Sequence, residues 1–282
     1  MKLRMVAILC ALLLPGSGKS VAEEVLPRRI VSLSPVITEE LFLLDAGDRV
    51  VGRTHYCTKP AKARKIEEVG NVVEISTEKI AALRPDLVIT TAMTDPRAKE
   101  KLKSLGISAM EFPSASDFQE ICDSFLKLGR IVGKEEEARA LIHRARIQVN
   151  ELNRQAPKEP RPSVFLEIGA DPLVTITKES FLNDLIESAG GVNGTREIGR
   201  PLYSREKVLA DDPDVILIVS MGFDGEKEKR IWQGYGDLRA VRQGRIYIVN
   251  SDLFCAPTPL SFVEALKEMR KMLHPVSDRK RF

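Results

Sequence analysis

The stretch that decides the fold occurs twice in this chain. It reads STEKIAALRPDLVI at residues 76–89 and SREKVLADDPDVIL at residues 204–217, with Ser, Glu, Lys, Ala, Pro and Asp identical at the same offsets. Both copies predict a short helix capped by serine, a Pro-Asp turn and a buried strand. Agreement over the whole segment favours duplication of a lobe over chance recurrence of a common pattern.

Outward from these segments, the chain alternates runs of β-branched residues with helical stretches. Because this alternation is typical of parallel sheets, we predict an α/β fold with two similar lobes, one over residues 28–115 and one over residues 161–275. The strands are predicted at residues 29–33, 49–52, 86–90 and 107–112 in the first lobe, and at residues 163–167, 215–219 and 246–249 in the second.

Between the predicted lobes, residues 116–158 show a helical pattern without a strand. Residues 134–155 contain neither Gly nor Pro, and three glutamates occupy the predicted first turn, where they complement the helix dipole. At about 1.5 Å per residue this helix extends roughly 30 Å, the width of a small domain. We therefore predict a rigid backbone helix that joins the lobes, with a ligand cleft between them.

The first residues differ from the rest of the chain. Residues 1–22 show the pattern of a secretory signal peptide, with a cationic start, an apolar run and small residues before the predicted cleavage point. The apolar run, residues 6–14, is too short to span a bilayer, which takes about 20 residues. Because Leu9 is bulky where a lipoprotein signal has a small residue before its cysteine, we expect a soluble periplasmic protein.

The charge balance argues against a nucleic-acid partner. The chain has 43 Lys and Arg residues against 40 Asp and Glu residues, and the predicted signal peptide carries the basic excess. The tight basic cluster at residues 279–281 belongs to a basic tail, residues 276–282, whereas phosphate binding needs a clustered basic surface.

Three cysteines remain in the predicted mature chain: Cys57, Cys122 and Cys255. An odd number leaves at least one thiol outside any intramolecular disulfide. One hypothesis is that Cys57 and Cys255 approach each other across the cleft.

Several motifs follow one another in a defined order. Residues 29–35 read RIVSLSP, residues 38–39 read TE, and residues 51–52 read VG and lead to Tyr56 and Pro60. Together with the repeated segments, they resemble the periplasmic substrate-binding proteins of metal-chelate ABC importers, which carry cobalamin, ferric siderophores or haem. The resemblance covers nearly the whole predicted mature chain. It implies a monomer with a shallow ligand cleft, little hinge closure and no resident cofactor.

The resemblance also implies a membrane partner. In that family a glutamate on the outer surface of each lobe docks onto arginines of the ABC permease, and the matching positions are Glu78 and Glu206. Carboxylate–guanidinium contacts are directional, which suits docking in a fixed orientation. Both glutamates also favour helix starts electrostatically, by about 0.3–1 kcal/mol each, and the two roles are compatible.

The ligand-binding residues are expected in loops that follow strands and in the loop before the second repeated helix. Tyr56 and Asp252 fall at positions that resemble ligand contacts in the cobalamin-binding members, whereas Val72, Thr91 and Arg200 stand where those members place tryptophans. The guanidinium of Arg200 would suit an anionic chelate, or lie in solvent. The predicted ligand-binding set is Ser34, Pro35, Tyr56, Arg200, Tyr203, Asp252 and Phe254.

Two other functions stay open at this stage. The same fold would bind a bare metal ion or an oxyanion, with His55, Cys57 and Cys255 as candidate metal ligands. An exported hydrolase would use His55 or Cys57 as base or nucleophile, although the sequence shows no local motif for such a pair. The leading hypothesis is a non-catalytic binding protein.

Overall fold

The computed structural model describes residues 26–71, 73–155, 157, 161–220 and 222–275. The predicted signal peptide, the basic tail and Val72 lie outside the described residues.

The N-terminal lobe is built on a four-stranded parallel sheet with the strand order β2-β1-β3-β4. Helices follow β1 and β3 and precede β3, as the alternating pattern predicts. The strands are β1 (Ile30–Ser32), β2 (Val50–Arg53), β3 (Leu87–Thr91) and β4 (Ala109–Phe112), and the helices are α1 (Pro35–Leu43), α2 (Thr77–Ala82) and α3 (Pro96–Ser104).

Helices α4 (Phe118–Ile131) and α5 (Glu135–Gln155) connect the lobes. Helix α5 has 21 residues, so it extends roughly 30 Å and reaches both hydrophobic cores. Its Ala138 and Ile142 pack in the N-terminal core, and its Ala145 and Val149 pack in the C-terminal core. One rigid element therefore fixes the separation of the two sheets.

The C-terminal lobe contains a second four-stranded parallel sheet, with the order β10-β9-β5-β8, and a small antiparallel hairpin. When strands are counted from the start of each lobe and the hairpin is left out, both sheets have the order second, first, third, fourth. The prediction of a two-lobed α/β fold is therefore confirmed. The strands are β5 (Ser163–Glu167), β6 (Gly169–Ala170), β7 (Leu173–Val174), β8 (Val192–Asn193), β9 (Val215–Val219) and β10 (Ile246–Val249). The helices are α6 (Phe181–Ser188), α7 (Arg205–Asp211), α8 (Gly225–Gln233), α9 (Arg239–Arg242), α10 (Ser251–Phe254) and α11 (Pro259–Leu273).

The two repeated segments have the same local structure. The Ser76 hydroxyl accepts a hydrogen bond from the Lys79 amide (3.2 Å) at the start of α2, and the α7 counterpart is Ser204 with Lys207 (3.3 Å). The residue before the proline has a positive φ in both copies, 47° at Arg84 and 43° at Asp212. Positive φ is uncommon outside glycine, so its recurrence at equivalent positions supports duplication.

The aspartate of each Pro-Asp turn joins the third strand to the first. Asp86 accepts hydrogen bonds from the backbone amides of Arg28 (2.7 Å) and Arg29 (3.0 Å). Asp214 accepts from the backbone amide (2.8 Å) and hydroxyl (3.1 Å) of Ser163. In return, each aspartate amide donates to the carbonyl of Arg29 or Ser163, at 2.9 and 3.0 Å. These contacts position the central strand pair of each sheet.

Replacing Asp86 or Asp214 by Ala should lower the free energy of unfolding by about 1–3 kcal/mol at each site, because strand-end donors lose a charged acceptor. Chemical denaturation of the purified protein measures this. The control is Asp237→Ala, an exposed aspartate outside these contacts, which should change stability by less than about 0.5 kcal/mol. Two aspartate variants as stable as the control would contradict the role of the turn.

Candidate functional site

The candidate ligand site lies where the carboxyl ends of the two sheets face each other. In parallel α/β sheets, the loops that follow the strands meet at one edge, and ligands bind there. The loop after β2 and helix α10 after β10 come together across the lobes, because Lys59 Nζ donates to the Asp252 carbonyl (3.4 Å). This contact brings the carboxyl edges of the two lobes together at one point.

On the N-terminal side, Tyr56 is the exposed aromatic residue of this edge, with 59% of its surface accessible. Its ring meets the imidazole of His55 edge to face, with centroids 5.5 Å apart. His55 Nδ1 lies 3.3 Å from Glu68 Oε2, and the same carboxylate lies 3.5 Å from the Arg53 guanidinium. His55 is therefore oriented by protein groups, and the Tyr56 ring is left open to a ligand.

Ser34 and Pro35 are used by the fold at this edge. The Ser34 hydroxyl caps α1 by accepting from the Ile37 amide (3.4 Å), and Pro35 is the first residue of that helix. Ser34 is buried, and its hydroxyl is used as the cap of α1.

Two predicted site residues on the C-terminal side are placed in different surroundings. Asp252 is exposed on α10, where the Asn250 side chain caps the helix by accepting from its amide (2.8 Å). Phe254, two residues later, is only 2% exposed and packs in the C-terminal core. Its prediction as a ligand contact was wrong, because one short turn of helix turns its ring inward.

Arg200 and Tyr203 lie in the loop before α7. Arg200 is exposed, as an anion-binding or solvated arginine would be. The Tyr203 hydroxyl donates to Asp211, and burial together with that carboxylate raises the pKa of Tyr203 to about 12. Its ring packs on Phe165, with centroids 5.9 Å apart. The hydroxyl of Tyr203 is thus engaged within its own lobe.

The three described cysteines are free thiols, so the hypothesised Cys57–Cys255 disulfide is not formed. Cys57 is fully buried, with its sulfur 3.1 Å from the Thr54 hydroxyl. Burial and the nearby Asp252 charge raise the pKa of Cys255 to about 11, which keeps this thiol protonated. Within the described ranges, no three His, Cys, Asp or Glu residues converge in a geometry that could hold a metal ion. His55, Cys57 and Cys255 therefore do not form a joint metal-binding cluster with three ligands in the described ranges.

An acidic junction that the sequence analysis missed lies beside Lys59. Burial raises the pKa of Glu39, the charges of Glu264 and Asp252 raise it further, and the Lys59 ammonium opposes the shift. These residues come from α1, α11, α10 and the loop after β2, so sequence spacing could not place them together. Met93, which follows β3 and is 63% exposed, was also missed, although its position after a strand was a usable signal.

A separate groove of about 770 Å³ lies at the opposite edge of the N-terminal sheet. It is bounded by the start of β3 at Leu87 and by the first turn of α5, including Glu135, Glu136 and Glu137. None of the predicted ligand-binding residues lines it.

Glu78 and Glu206 lie at equivalent places, in the first turns of α2 and α7, and both are exposed. A hydrogen bond from Lys101 is the main cause that lowers the pKa of Glu78 to about 2. The Glu206 pKa is also lowered, by its own backbone amide and by the Ser204 hydroxyl. Both side chains are therefore anionic at neutral pH.

A buried polar network lies directly behind Glu206. The Arg205 guanidinium donates to Glu228 and stacks over the ring of Trp232, 4.7 Å from its centroid. The Trp232 indole donates to Glu167 Oε2 (2.7 Å), while Glu167 Oε1 is buried without a partner among the described residues. Burial, and then the neighbouring Glu228 carboxylate, raise the pKa of Glu167 to about 8, against the opposing effects of Trp232 and Arg205.

The two lobes and the facing carboxyl edges define a two-lobed α/β solute-binding protein. No helix among the described residues has the length and apolarity that a membrane crossing requires. The chain belongs to the periplasmic binding protein family, whose model matches residues 30–253.

Three known proteins are similar to this chain. An ABC transporter substrate-binding lipoprotein of Bacillus subtilis is 29% identical over 270 residues, covering 92% of this chain and 84% of the relative. The crystal structure of the periplasmic vitamin B12-binding protein of Vibrio cholerae has a TM-score of 0.75 and 27% identity, covering 88% and 96% of the two chains. A periplasmic haem-binding protein of Pseudomonas aeruginosa has a TM-score of 0.78 with 22% identity, covering 89% and 94%, and shares the fold.

The single tryptophan reports on the buried network. Because the folded protein holds a proton on Glu167 more tightly than the unfolded chain does, the stabilisation by that proton should be lost as pH rises toward about 8. Trp232 emission should titrate with a midpoint near pH 8 in the wild type and stay flat in Glu167→Gln. An exposed control, Glu179→Gln, should keep the transition. A transition that survives in Glu167→Gln would contradict this assignment.

Proposed function

We propose that this protein captures a metal chelate in the cleft between its lobes and delivers it to an ABC importer permease. The observation that carries the proposal is the meeting of the two carboxyl edges, with Tyr56 open on one side and Asp252 exposed on the other. The protein binds without catalysis, acts as a monomer and has no resident cofactor, since the metal arrives as part of the cargo.

A corrinoid such as cobalamin is the chelate that we favour. The vitamin B12-binding protein of Vibrio cholerae is 27% identical to this chain and covers 88% of it. Of the described groups whose charges act on the Glu39 carboxyl, Asp252 and Glu264 are acidic and Lys59 is basic, so this junction would repel a chelate that carries carboxylates. A neutral corrinoid with amide side chains avoids this repulsion, whereas haem and many ferric siderophores bring negative charge.

The proposed ligand-binding set contains Tyr56, Arg200 and Asp252, which the sequence predicted. The structure adds Lys59 and Met93 to this set. A corrinoid presents a broad, flat apolar face edged with amides. The Tyr56 ring and the Met93 thioether supply apolar contact, and the charged residues supply hydrogen-bond donors and acceptors.

Two other functions have less support. A dedicated bare-metal site would need several converging ligands, which the described ranges lack. A hydrolase that used Cys57 would need an accessible nucleophile, yet Cys57 is fully buried.

We also propose that the chain is exported through residues 1–22 and works in the periplasm. The relatives are periplasmic or lipoprotein substrate-binding proteins, and the sequence pattern of these residues fits a signal peptide.

Binding is tested by titrating the protein, from Glu23 onward, with cyanocobalamin, haemin and a ferric siderophore while its thermal unfolding is followed. A ligand at a hundredfold excess over its dissociation constant should add about 2.7 kcal/mol to the free energy of unfolding. We expect stabilisation by cyanocobalamin and none by haemin. Stabilisation by haemin alone would contradict the corrinoid proposal, and no shift with any chelate would contradict the metal-chelate function.

Tyr56→Ala should weaken cyanocobalamin binding about tenfold, because an exposed aromatic contact is lost. Leu105→Ala removes a similarly exposed apolar side chain at the end of α3, away from the cleft, and should leave the affinity unchanged. Isothermal titration calorimetry compares the two variants. Equal affinities in both would place the ligand away from the loop after β2.

A further inference from the structure

The two helices that carry the proposed docking glutamates, α2 and α7, are held to their neighbouring helices by different ion pairs. Helix α2 is joined to α3 by an ion pair between Lys101 and Glu78, so the proposed docking carboxylate is itself the tie. Helix α7 is joined to α8 by the neighbouring residue Arg205, which pairs with the buried Glu228. In the described part of the chain, no lysine or arginine forms an ion pair with Glu206. Helix α2 is therefore held by the carboxylate of Glu78 itself. Helix α7 is held by Arg205, which leaves the carboxylate of Glu206 available to a partner.

The surrounding charges differ in the same sense. Residues 76–104, from the Ser76 cap of α2 to the end of α3, contain six basic and four acidic residues. Residues 204–233, the equivalent stretch from the α7 cap to the end of α8, contain five basic and seven acidic residues. One segment thus has a net charge of +2 and its duplicate a net charge of −2. A partner surface rich in arginine is attracted by the second segment and repelled by the first.

We propose that the two lobes dock unequally on the permease. The surface around Glu206 is the primary contact for arginines of the partner, and the surface around Glu78 binds only when Glu78 releases Lys101 and pairs with a partner cation instead. The released Lys101 is then solvated by water, because its side chain is already more than half exposed. The inference rests on the proposed delivery to a permease and on the docking role that the family resemblance implies for Glu78 and Glu206, and it adds the order of the two contacts.

The exchange at Glu78 is physically accessible. Lys101 and Glu78 are both more than half exposed, and exposed ion pairs contribute little because water and salt screen them. The Lys101–Glu78 pair therefore slows and weakens the binding of Glu78 to a partner cation but does not prevent it. By contrast, the Arg205–Glu228 pair is largely buried, so it holds α7 in place while Glu206 binds.

The test measures, by biolayer interferometry, the affinity of the protein incubated with cyanocobalamin for the permease–ATPase complex of its importer, held in nanodiscs. Glu206→Gln should weaken docking about tenfold, since a charge-assisted contact is lost. Glu78→Gln should weaken it only about twofold, because its pair with Lys101 must break anyway. Lys101→Met should tighten docking about threefold and make it more sensitive to loss of Glu78. Glu179→Gln, an exposed glutamate elsewhere on the C-terminal lobe, is the matched control.

Equal losses in Glu78→Gln and Glu206→Gln, or a larger loss in Glu78→Gln, would overturn the unequal docking and leave docking itself intact. No loss in either variant would overturn the docking role of both glutamates. A Lys101→Met variant that docks like the wild type would also overturn the proposal. Cyanocobalamin titration of each variant separates these outcomes from a failure of ligand binding, because neither glutamate is in the proposed ligand-binding set.

Discussion

The structure depends on one contact made twice, the aspartate of a Pro-Asp turn accepting hydrogen bonds from the start of the neighbouring first strand. Asp86 and Asp214 join the third strand of each lobe to its first strand in this way. Since these two strands are central in each sheet, the contact helps to set the register from which the outer strands extend. The positive φ of the residue before each proline aims the turn at that strand.

The cleft follows from this arrangement and from the length of α5. Parallel strands collect their carboxyl-end loops at one edge, and a helix that packs in both cores holds the two edges opposite each other. Lys59 then reaches Asp252 across the lobes, beside an acidic junction. The two repeated segments form two equivalent helices, α2 and α7, but residues 76–104 and residues 204–233 carry opposite net charges. The two lobes are therefore similar in fold but differ in the net charge of these two segments.

The repeat, the strands of three or more residues and the backbone helix could be predicted because periodicity and local caps encode them. The two-residue strands β6, β7 and β8 could not, since such short pairings depend on tertiary contacts. At the site, position after a strand identified Tyr56 and Asp252 as edge residues. It misplaced Phe254, because a single turn of helix decides whether a side chain faces the cleft or the core. Lys59 and Glu264 were missed because only the packing of two lobes brings them together.

The central claim is that one ligand contacts the carboxyl edges of both sheets at once. Hydrogen–deuterium exchange with and without cyanocobalamin tests it most directly, because backbone protection identifies the loops that a ligand covers. The account predicts slower exchange in residues 54–58 and 91–94 of the N-terminal lobe and in residues 250–255 of the C-terminal lobe. Protection confined to one lobe, or located at the groove beside the start of α5, would contradict it.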